Sequence, residues 1–425
     1  DSFARSLALA PLADYVLGDL MHSRMHVCDW AGFDESLARM KEQVGEGRKV
    51  VNPFSVLALT ADLAILRKAA EVFALHQRSE AFRLGPVSKR ARHDRIRIGY
   101  YSADFHEHAT AYLMAELFEL HDKNRFELVA FSFGPETGDP MRQRLSSAFD
   151  RFVDVRLRTD REVALLSREM GIDVAIDLKG YTEDSRPGIF ACRTAPVQVS
   201  YLGFPGTMGV NFMDYIIADK TLIPTGSQSG YSEKIVYLPN SYQVNDAKRV
   251  ISSRAFTREE LGLPASGFVF ACFNNTYKIT PAVFAAWMRI LMRVGDSVLW
   301  LFETNSDAVD NLRKEAAARG VDPCRLVFAK RLPLPEHLAR IRMADLFLDT
   351  LPYNAHTTTS DALWAGLPVL TCPGESFASR VAASLLNAIA LPELIADSPE
   401  AYENRALELA GDPVQLGAVS RQLAD

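Results

Sequence analysis

His356-Thr357-Thr358-Thr359-Ser360 follows a short apolar run and a loop carrying Pro352 and Asn354, and it opens a stretch with helical spacing that contains Leu363 and Trp364. Hydroxyls and free backbone N–H groups gathered at a helix N-terminus meet a partial positive charge there, an arrangement suited to a phosphate or diphosphate. The same threonines also serve as a plain N-cap. A second apolar run, 369–372, ends at Pro373-Gly374-Glu375-Ser376, and a further helix is expected with Arg380 in its first turn. Two successive strand-to-helix junctions favour a ligand crevice, because open α/β sheets bind ligands beyond the carboxyl ends of their strands.

Four other polar groups stand where a strand is expected to end. Asp104-Phe105-His106-Glu107-His108 closes the first; His108 precedes a helix, as base or hydrogen-bond donor toward a ligand or as an ordinary cap. Asp177-Leu178-Lys179-Gly180-Tyr181-Thr182 closes another. The glycines of Leu202-Gly203-Phe204-Pro205-Gly206-Thr207 permit close backbone approach to a ligand and equally serve a turn. Asn274-Asn275-Thr276-Tyr277-Lys278 ends in a lysine that either neutralises phosphate or is simply exposed. No Asp-x-Asp occurs, and no His, Cys and carboxylate residues share metal-ligand spacing. A diphosphate would therefore be held by cationic side chains and helix dipoles, with Lys278 and the Thr357-Thr358 turn supplying them and no metal cofactor.

The elements that must position these residues begin with helices over residues 7–25, 35–44 and 54–82, separated by glycine turns. They read as helix pairs that stack on something, either the last units of a solenoid or an extension packed on the core. Residues 85–94 have linker composition. From residue 95 apolar runs alternate with amphipathic stretches: strands are expected at 96–101, 126–133, 152–155, 174–178, 197–202, 214–218 and 234–238. Helices are expected at 111–120, 140–149 and 162–170. After a polar, turn-rich stretch to residue 254 the alternation restarts, with strands at 268–273, 298–302, 326–328, 346–348 and 369–372. The fold class is α/β: two doubly wound halves with a cleft between them, preceded by an α-helical segment. The domains are 1–88, helical; 95–248, the first half; and 249–425, the second.

With 425 residues, 48% of them hydrophobic, the chain is long enough for two or three domains with real cores. A net charge of −6 gives no reason to expect a nucleic acid or a membrane surface as partner. The five cysteines, with no CxxC spacing, argue against a disulfide framework and for a reducing, cytoplasmic setting. No apolar run is long enough to span a bilayer.

Taken together, the segments 97–113, 177–219, 231–239, 273–279, 297–301 and 344–386 resemble, in order, the catalytic region of the O-GlcNAc transferase family, which includes the SPINDLY-type fucosyltransferases. The stretches RIGYYSADFHEHATAYL, FNNTYKI and DTLPYNAHTTTSDALWAGLPVLTCPGESFASR carry much of it. The resemblance implies a GT-B fold and inverting, metal-independent sugar transfer from a nucleotide donor to protein side chains. Tetratricopeptide helices would precede the catalytic region, with residues 1–85 as the end of their array.

Residue by residue, the resemblance makes His108 the active-site histidine and Lys278 the donor-phosphate lysine. His337 would stack near the nucleobase, His356, Thr357 and Thr358 would form the diphosphate turn, and Asp361 would bind the ribose. Leu202, Gly203 and Pro205 would wall the sugar pocket, with Thr182 near the acceptor. Asp177, Lys179 or the donor's own phosphate is left to take the hydroxyl proton. Three positions depart from the animal enzymes: Asn275 for glutamine beside the phosphate lysine, Leu334 for a lysine, and Tyr353 for a cysteine at the sugar pocket. The leading expectation is transfer of GlcNAc from UDP-GlcNAc to serine or threonine of a protein or peptide acceptor. A fucosyl or other hexosyl donor, an asparagine acceptor and a catalytically silent scaffold are the alternatives.

Overall fold

A computed structural model describes residues 2–77, 84–87 and 93–424. The helix end expected at 78–82 and residues 88–92 of the expected linker lie outside the described residues. The chain divides into two compact units, one made of Leu63–Arg249 and the other of Asp1–Asp62 together with Val250–Asp425.

The chain opens with α1 (Ser2–Leu9), α2 (Val16–His26), α3 (Phe33–Gly45) and α4 (Pro53–Leu57), followed by α5 (Leu63–Gln77). The expected helix over 7–25 is thus broken. Pro11 supplies no backbone N–H, and Tyr15, at the N-cap of α2, takes a left-handed φ of 65°. The expected helix over 54–82 is likewise interrupted between α4 and α5. The helical residues divide between the units, α1–α4 going with the later part of the chain and α5 with Leu63–Arg249.

In the unit Leu63–Arg249, strands β1 (Ile96–Ser102), β2 (Phe126–Ser132), β3 (Arg151–Asp154), β4 (Val174–Asp177), β5 (Val197–Ser200), β6 (Tyr215–Ala218) and β7 (Lys234–Tyr237) form one sheet. Its order is β3-β2-β1-β4-β5-β6-β7 and its pairs are parallel. Helices α6 (Ala109–Leu120), α7 (Pro140–Ala148), α8 (Asp160–Glu169) and the short α9 (Gly188–Ala191) connect them. Their starts are written locally: Asp139 caps α7 ahead of Pro140, and Thr159 with Glu162 forms a capping box on α8. Inside, Tyr101 of β1 stacks flat on Phe131 of β2 with ring centroids 4.4 Å apart.

The other unit carries β8 (Val269–Cys272), β9 (Val298–Phe302), β10 (Leu326–Ala329), β11 (Leu346–Leu348) and β12 (Val369–Leu370), parallel and ordered β10-β9-β8-β11-β12. Around them run α10 (Pro281–Arg293), α11 (Ser306–Ala318), α12 (Leu334–Arg340), α13 (Thr357–Trp364), α14 (Val381–Ala388), α15 (Pro399–Gly411) and α16 (Pro413–Ala424). Arg380 is not in the first turn of α14. It stands before it, at φ −129°, after a 3-10 turn at Phe377–Ser379. Strands β8, β9 and β11 are buried on both faces and read as unbroken apolar runs, as parallel strands covered by helices must. Trp287 of α10 and Trp300 of β9 are fully buried among them. The N-terminal helices are tied in by polar contacts: the carbonyl of His26 at the end of α2 accepts from Thr276 Oγ1 (2.7 Å) and Asn305 Nδ2 (3.0 Å), and that of Val27 from Asn311 (2.9 Å).

Two Rossmann-like, doubly wound halves and an N-terminal run of helices make this the α/β, GT-B class expected. Among the described residues, no helix is long and apolar enough to cross a membrane.

Candidate functional site

In each sheet the strand order reverses once, between β1 and β4 in the first and between β8 and β11 in the second. Ligands of open α/β sheets bind outside the carboxyl ends of the strands at such reversals. The residues singled out from the sequence fall at these two places, and each is built from its own side chains.

Beyond β1 and β4, Lys179 is 4% exposed and its Nζ contacts both carboxylate oxygens of Asp104, at 2.9 and 2.8 Å. Asp104 Oδ2 also lies 3.5 Å from Nδ1 of His108. His108 is the N-cap of α6, and its Nδ1 accepts the backbone N–H of Thr110 at 3.2 Å. With Nδ1 used as acceptor, the neutral ring carries its proton on Nε2. Burial holds the imidazole below its ordinary pKa against the pull of Asp104. Asp177 is buried and accepts from the N–H groups of Lys179 (2.9 Å) and Gly180 (3.2 Å), and burial lifts its pKa to about 6. Thr182 donates its hydroxyl hydrogen to the Lys179 carbonyl at 2.9 Å.

The loop after β5 lies against this turn. Leu202 sits at a left-handed φ of 66°, a strained conformation for a residue with a branched side chain. Gly203 has no room for more than hydrogen, since a Cβ there would collide with the Leu178 carbonyl. Pro205 is buried. Glu233, itself buried, holds the end of the loop through Thr207 Oγ1 (2.7 Å) and the N–H of Met208 (2.6 Å). Asp104, His108, Asp177, Lys179, Thr182 and Leu202–Pro205 are therefore contiguous.

Beyond β8 and β11, Lys278 ends a 3-10 turn, Thr276–Lys278, and is 8% exposed. The lysine that exposure would explain is in fact a buried ammonium. Its Nζ donates to the carbonyl of Asn354 at 2.9 Å and lies 3.9 Å from the ring centroid of Tyr353. Burial lowers its pKa to about 8. The ring of His356, N-cap of α13, lies 4.9 Å from that of Tyr353 and donates from Nε2 to the Ala378 carbonyl at 3.1 Å. Burial, reinforced by Lys278, keeps His356 neutral. Thr357 and Thr358 begin α13, where the first backbone N–H groups have no intrahelical acceptor. Thr358 Oγ1 reaches Asn274 Oδ1 at 2.6 Å, and Asp361, buried, lies one turn further on. Asn275 is exposed. His337 lies edge-on to Phe273 at 5.1 Å and accepts from Arg340 Nε at 3.2 Å, its pKa lowered to about 3 chiefly by burial. Tyr353 is 5% exposed and packs on Lys278, Phe54, Tyr277 and His356.

Two residues given no role from the sequence hold this loop together. Asp349 accepts from the N–H of Thr350 (2.8 Å), the N–H of Ala355 (2.6 Å) and the hydroxyl of Thr371 (2.7 Å). Burial raises its pKa to about 6. Asn274 donates to Thr350 Oγ1 at 2.8 Å while accepting from Thr358. A signal was present: Asp177 ends an apolar strand, Asp219 and Asp349 each follow one directly, and each carboxylate accepts N–H groups of the next turn. Gln243, 6% exposed, also escaped notice; neither polar atom of its amide has a partner among the described residues.

Residues 27–256 and 248–424 match the model of the family described as Glycosyl transferase family 41. Over 95% of its length the chain is 35% identical to the probable UDP-N-acetylglucosamine–peptide N-acetylglucosaminyltransferase SEC of Arabidopsis thaliana, of which it covers 44%. A Caenorhabditis elegans UDP-N-acetylglucosamine–peptide N-acetylglucosaminyltransferase is 28% identical over 92% of the chain, with 45% of that protein covered. The chain thus spans less than half the length of either relative. Among solved structures, an O-GlcNAc transferase mutant of Thermobaculum terrenum superposes with a TM-score of 0.84 at 28% identity, over 99% of this chain and 81% of that one.

Proposed function

The chain belongs to glycosyl transferase family 41, and we propose that it transfers GlcNAc from UDP-GlcNAc to serine or threonine of a protein acceptor by an inverting, metal-independent displacement. The observation that carries this reading is the Lys278 ammonium, buried beside the start of α13 at the β8/β11 reversal. A fixed cation and free helix N–H groups are what a departing nucleoside diphosphate needs. The relatives named for UDP-N-acetylglucosamine and peptide support the donor and acceptor.

In this reading His356, Thr357 and Thr358 hold the diphosphate, His337 and Asp361 the nucleoside, and Asn275 the rim of that site. Leu202, Gly203 and Pro205 shape the sugar pocket, with Thr182 toward the acceptor. Inversion requires the acceptor oxygen to attack from the face opposite the diphosphate, so the new bond forms as the sugar–phosphate bond breaks. The hydroxyl proton is assigned to Asp177, whose raised pKa suits it for accepting, or to a phosphate oxygen of the donor itself. Helices α1–α5 are the end of a tetratricopeptide-like array that presents the acceptor, and the setting is cytoplasmic.

Thermal stabilisation of the purified chain by UDP, GDP, UDP-GlcNAc and GDP-fucose tests the donor, because a ligand that binds the folded state raises apparent stability by mass action. UDP and UDP-GlcNAc are expected to stabilise most, and Lys278→Ala to cost about 3 kcal/mol or more of transition-state stabilisation. Preference for GDP and GDP-fucose, or near wild-type turnover of Lys278→Ala, overturns the assignment.

A further inference from the structure

Lys278 has no carboxylate in ion-pair contact among the described residues, although it is almost wholly withdrawn from water. An ammonium in that position sheds its proton unless something else stabilises the charge. One carbonyl, that of Asn354, accepts a hydrogen bond from it. The other contact is the face of Tyr353, 3.9 Å from Nζ to the ring centroid, well inside the range in which the negative quadrupole of an aromatic face attracts a cation.

The ring is itself held in that orientation. Phe54 of α4 meets it edge-on at 6.3 Å and 71°, Tyr277 at 6.2 Å and 70°, and His356 lies tilted against it at 4.9 Å. Tyr277 is braced in turn by the rings of His22 and His26 on α2, at 5.3 and 5.1 Å. A side chain 5% exposed and surrounded in this way presents its face to the lysine and little of itself to a ligand.

We propose that Tyr353 is a positioning residue for Lys278: its face, closed off behind by Phe54 and Tyr277, keeps the ammonium charged and fixed beside the His356 turn. It acts on the donor through the lysine and not by touching the sugar, and this rests on the reading of that turn as the diphosphate site. The other titratable groups that act on Lys278 are Asp349 after β11 and Cys272 on β8, both of which favour the charged form. His356 before α13 is neutral. Burial outweighs the two favourable groups and lowers Lys278 to about 8.

The test replaces Tyr353 with phenylalanine and then with increasingly fluorinated phenylalanines, which keep the ring's shape while draining its face of negative charge. Lysine side-chain NMR follows the titration of Lys278, identified by the resonance missing from Lys278→Arg. The phenylalanine variant is expected to titrate like the wild type, and the Lys278 pKa to fall steadily with fluorination, by about one unit in all. The alkaline limb of kcat/KM for UDP-GlcNAc should move with it while the ratio of kcat/KM between two sugar donors stays constant. A titration that is flat across the series overturns the proposal, as does a change in donor ratio without a change in titration. Because the NMR titration needs no donor, a normal shift in a chain that binds no UDP removes the donor-site reading and leaves the lysine clamp standing.

Discussion

The hydroxyl of Thr358 gives its hydrogen to Asn274 Oδ1, 2.6 Å away, so at the start of α13 it is the backbone N–H of Thr358, and not its side chain, that remains to meet an anion. Asn274 in turn donates to Thr350, and the loop between β11 and α13 is thereby tied to the end of β8. Asn274→Ala is expected to weaken UDP binding about tenfold, the consequence of leaving buried hydrogen-bonding groups unpaired. Calorimetric titration with UDP checks this; unchanged affinity would show that the turn holds its shape without the amide.

The ionisation of Lys278 sets an upper pH limit. The neutral amine offers no charge to the diphosphate, so kcat/KM should fall as pH rises through about 8, the value to which burial lowers the free lysine. In kcat the limb lies higher, because bound diphosphate favours the ammonium. Stability runs the other way. The folded lysine loses its proton before the unfolded one at 10.5, so its burial penalty is present in full below about 8 and relaxes as pH rises toward 10.5. A pH–rate profile that stays level to pH 9.5 or so would contradict the role given to this residue.

Asp349 separates the effect of a hydrogen-bond hub from that of a buried charge. Asp349→Ala orphans the N–H groups of Thr350 and Ala355 and should cost about 3 kcal/mol in urea denaturation. Asp349→Asn keeps acceptor geometry and should cost far less. The wild-type carboxyl, raised to about 6 from 3.8, contributes stability that is present below 3.8 and lost as pH rises through about 6. The asparagine variant should remove that part of the slope and, by withdrawing the favourable charge, carry the alkaline limb of kcat/KM to lower pH.

For His108, capping and chemistry are separable. Asparagine is a good N-cap, so His108→Asn should keep the stability that His108→Ala loses, about 1 kcal/mol. Turnover is expected to fall strongly in both variants with UDP affinity little changed. Recovery of turnover in His108→Asn would reduce the histidine to a cap.

A chelator is expected to leave transfer unaffected, since Lys278 and the α13 N-terminus supply the positive charge. Activity lost with EDTA and restored by Mg²⁺ or Mn²⁺ would refute this.

Much of this was legible in the chain because parallel strands announce themselves. Most of β1 to β12 are short apolar or β-branched runs, and in the central strands burial on both faces demands that pattern, whereas the edge strands β3 and β7 carry exposed charged residues. The break at Pro11 was legible too, and was passed over because the apolar spacing on either side remains helical. What the pattern could not show is which half a helix packs on: α1–α4 and α5 look alike as amphipathic segments, and their partners lie far along the sequence. The burial of Lys278 was hidden for a related reason. A lysine after a strand is usually solvated, and the meeting of Tyr353, itself backed by Phe54, and Asn354 at its ammonium is written far along the sequence. Asp349 stayed unremarked because it works through backbone N–H groups, which leave no trace in residue type.

The carbonyls that end α2 are capped by Thr276, Asn305 and Asn311, side chains that do not exist until the intervening half has been synthesised. On the ribosome, then, residues 63–249 can close their sheet as a continuous segment, whereas α2 lacks these partners until the residues from Thr276 onward emerge. This helix is made before residues 63–249 yet meets these partners only after them, and that interval is when a nascent chain of this architecture depends most on protection from aggregation.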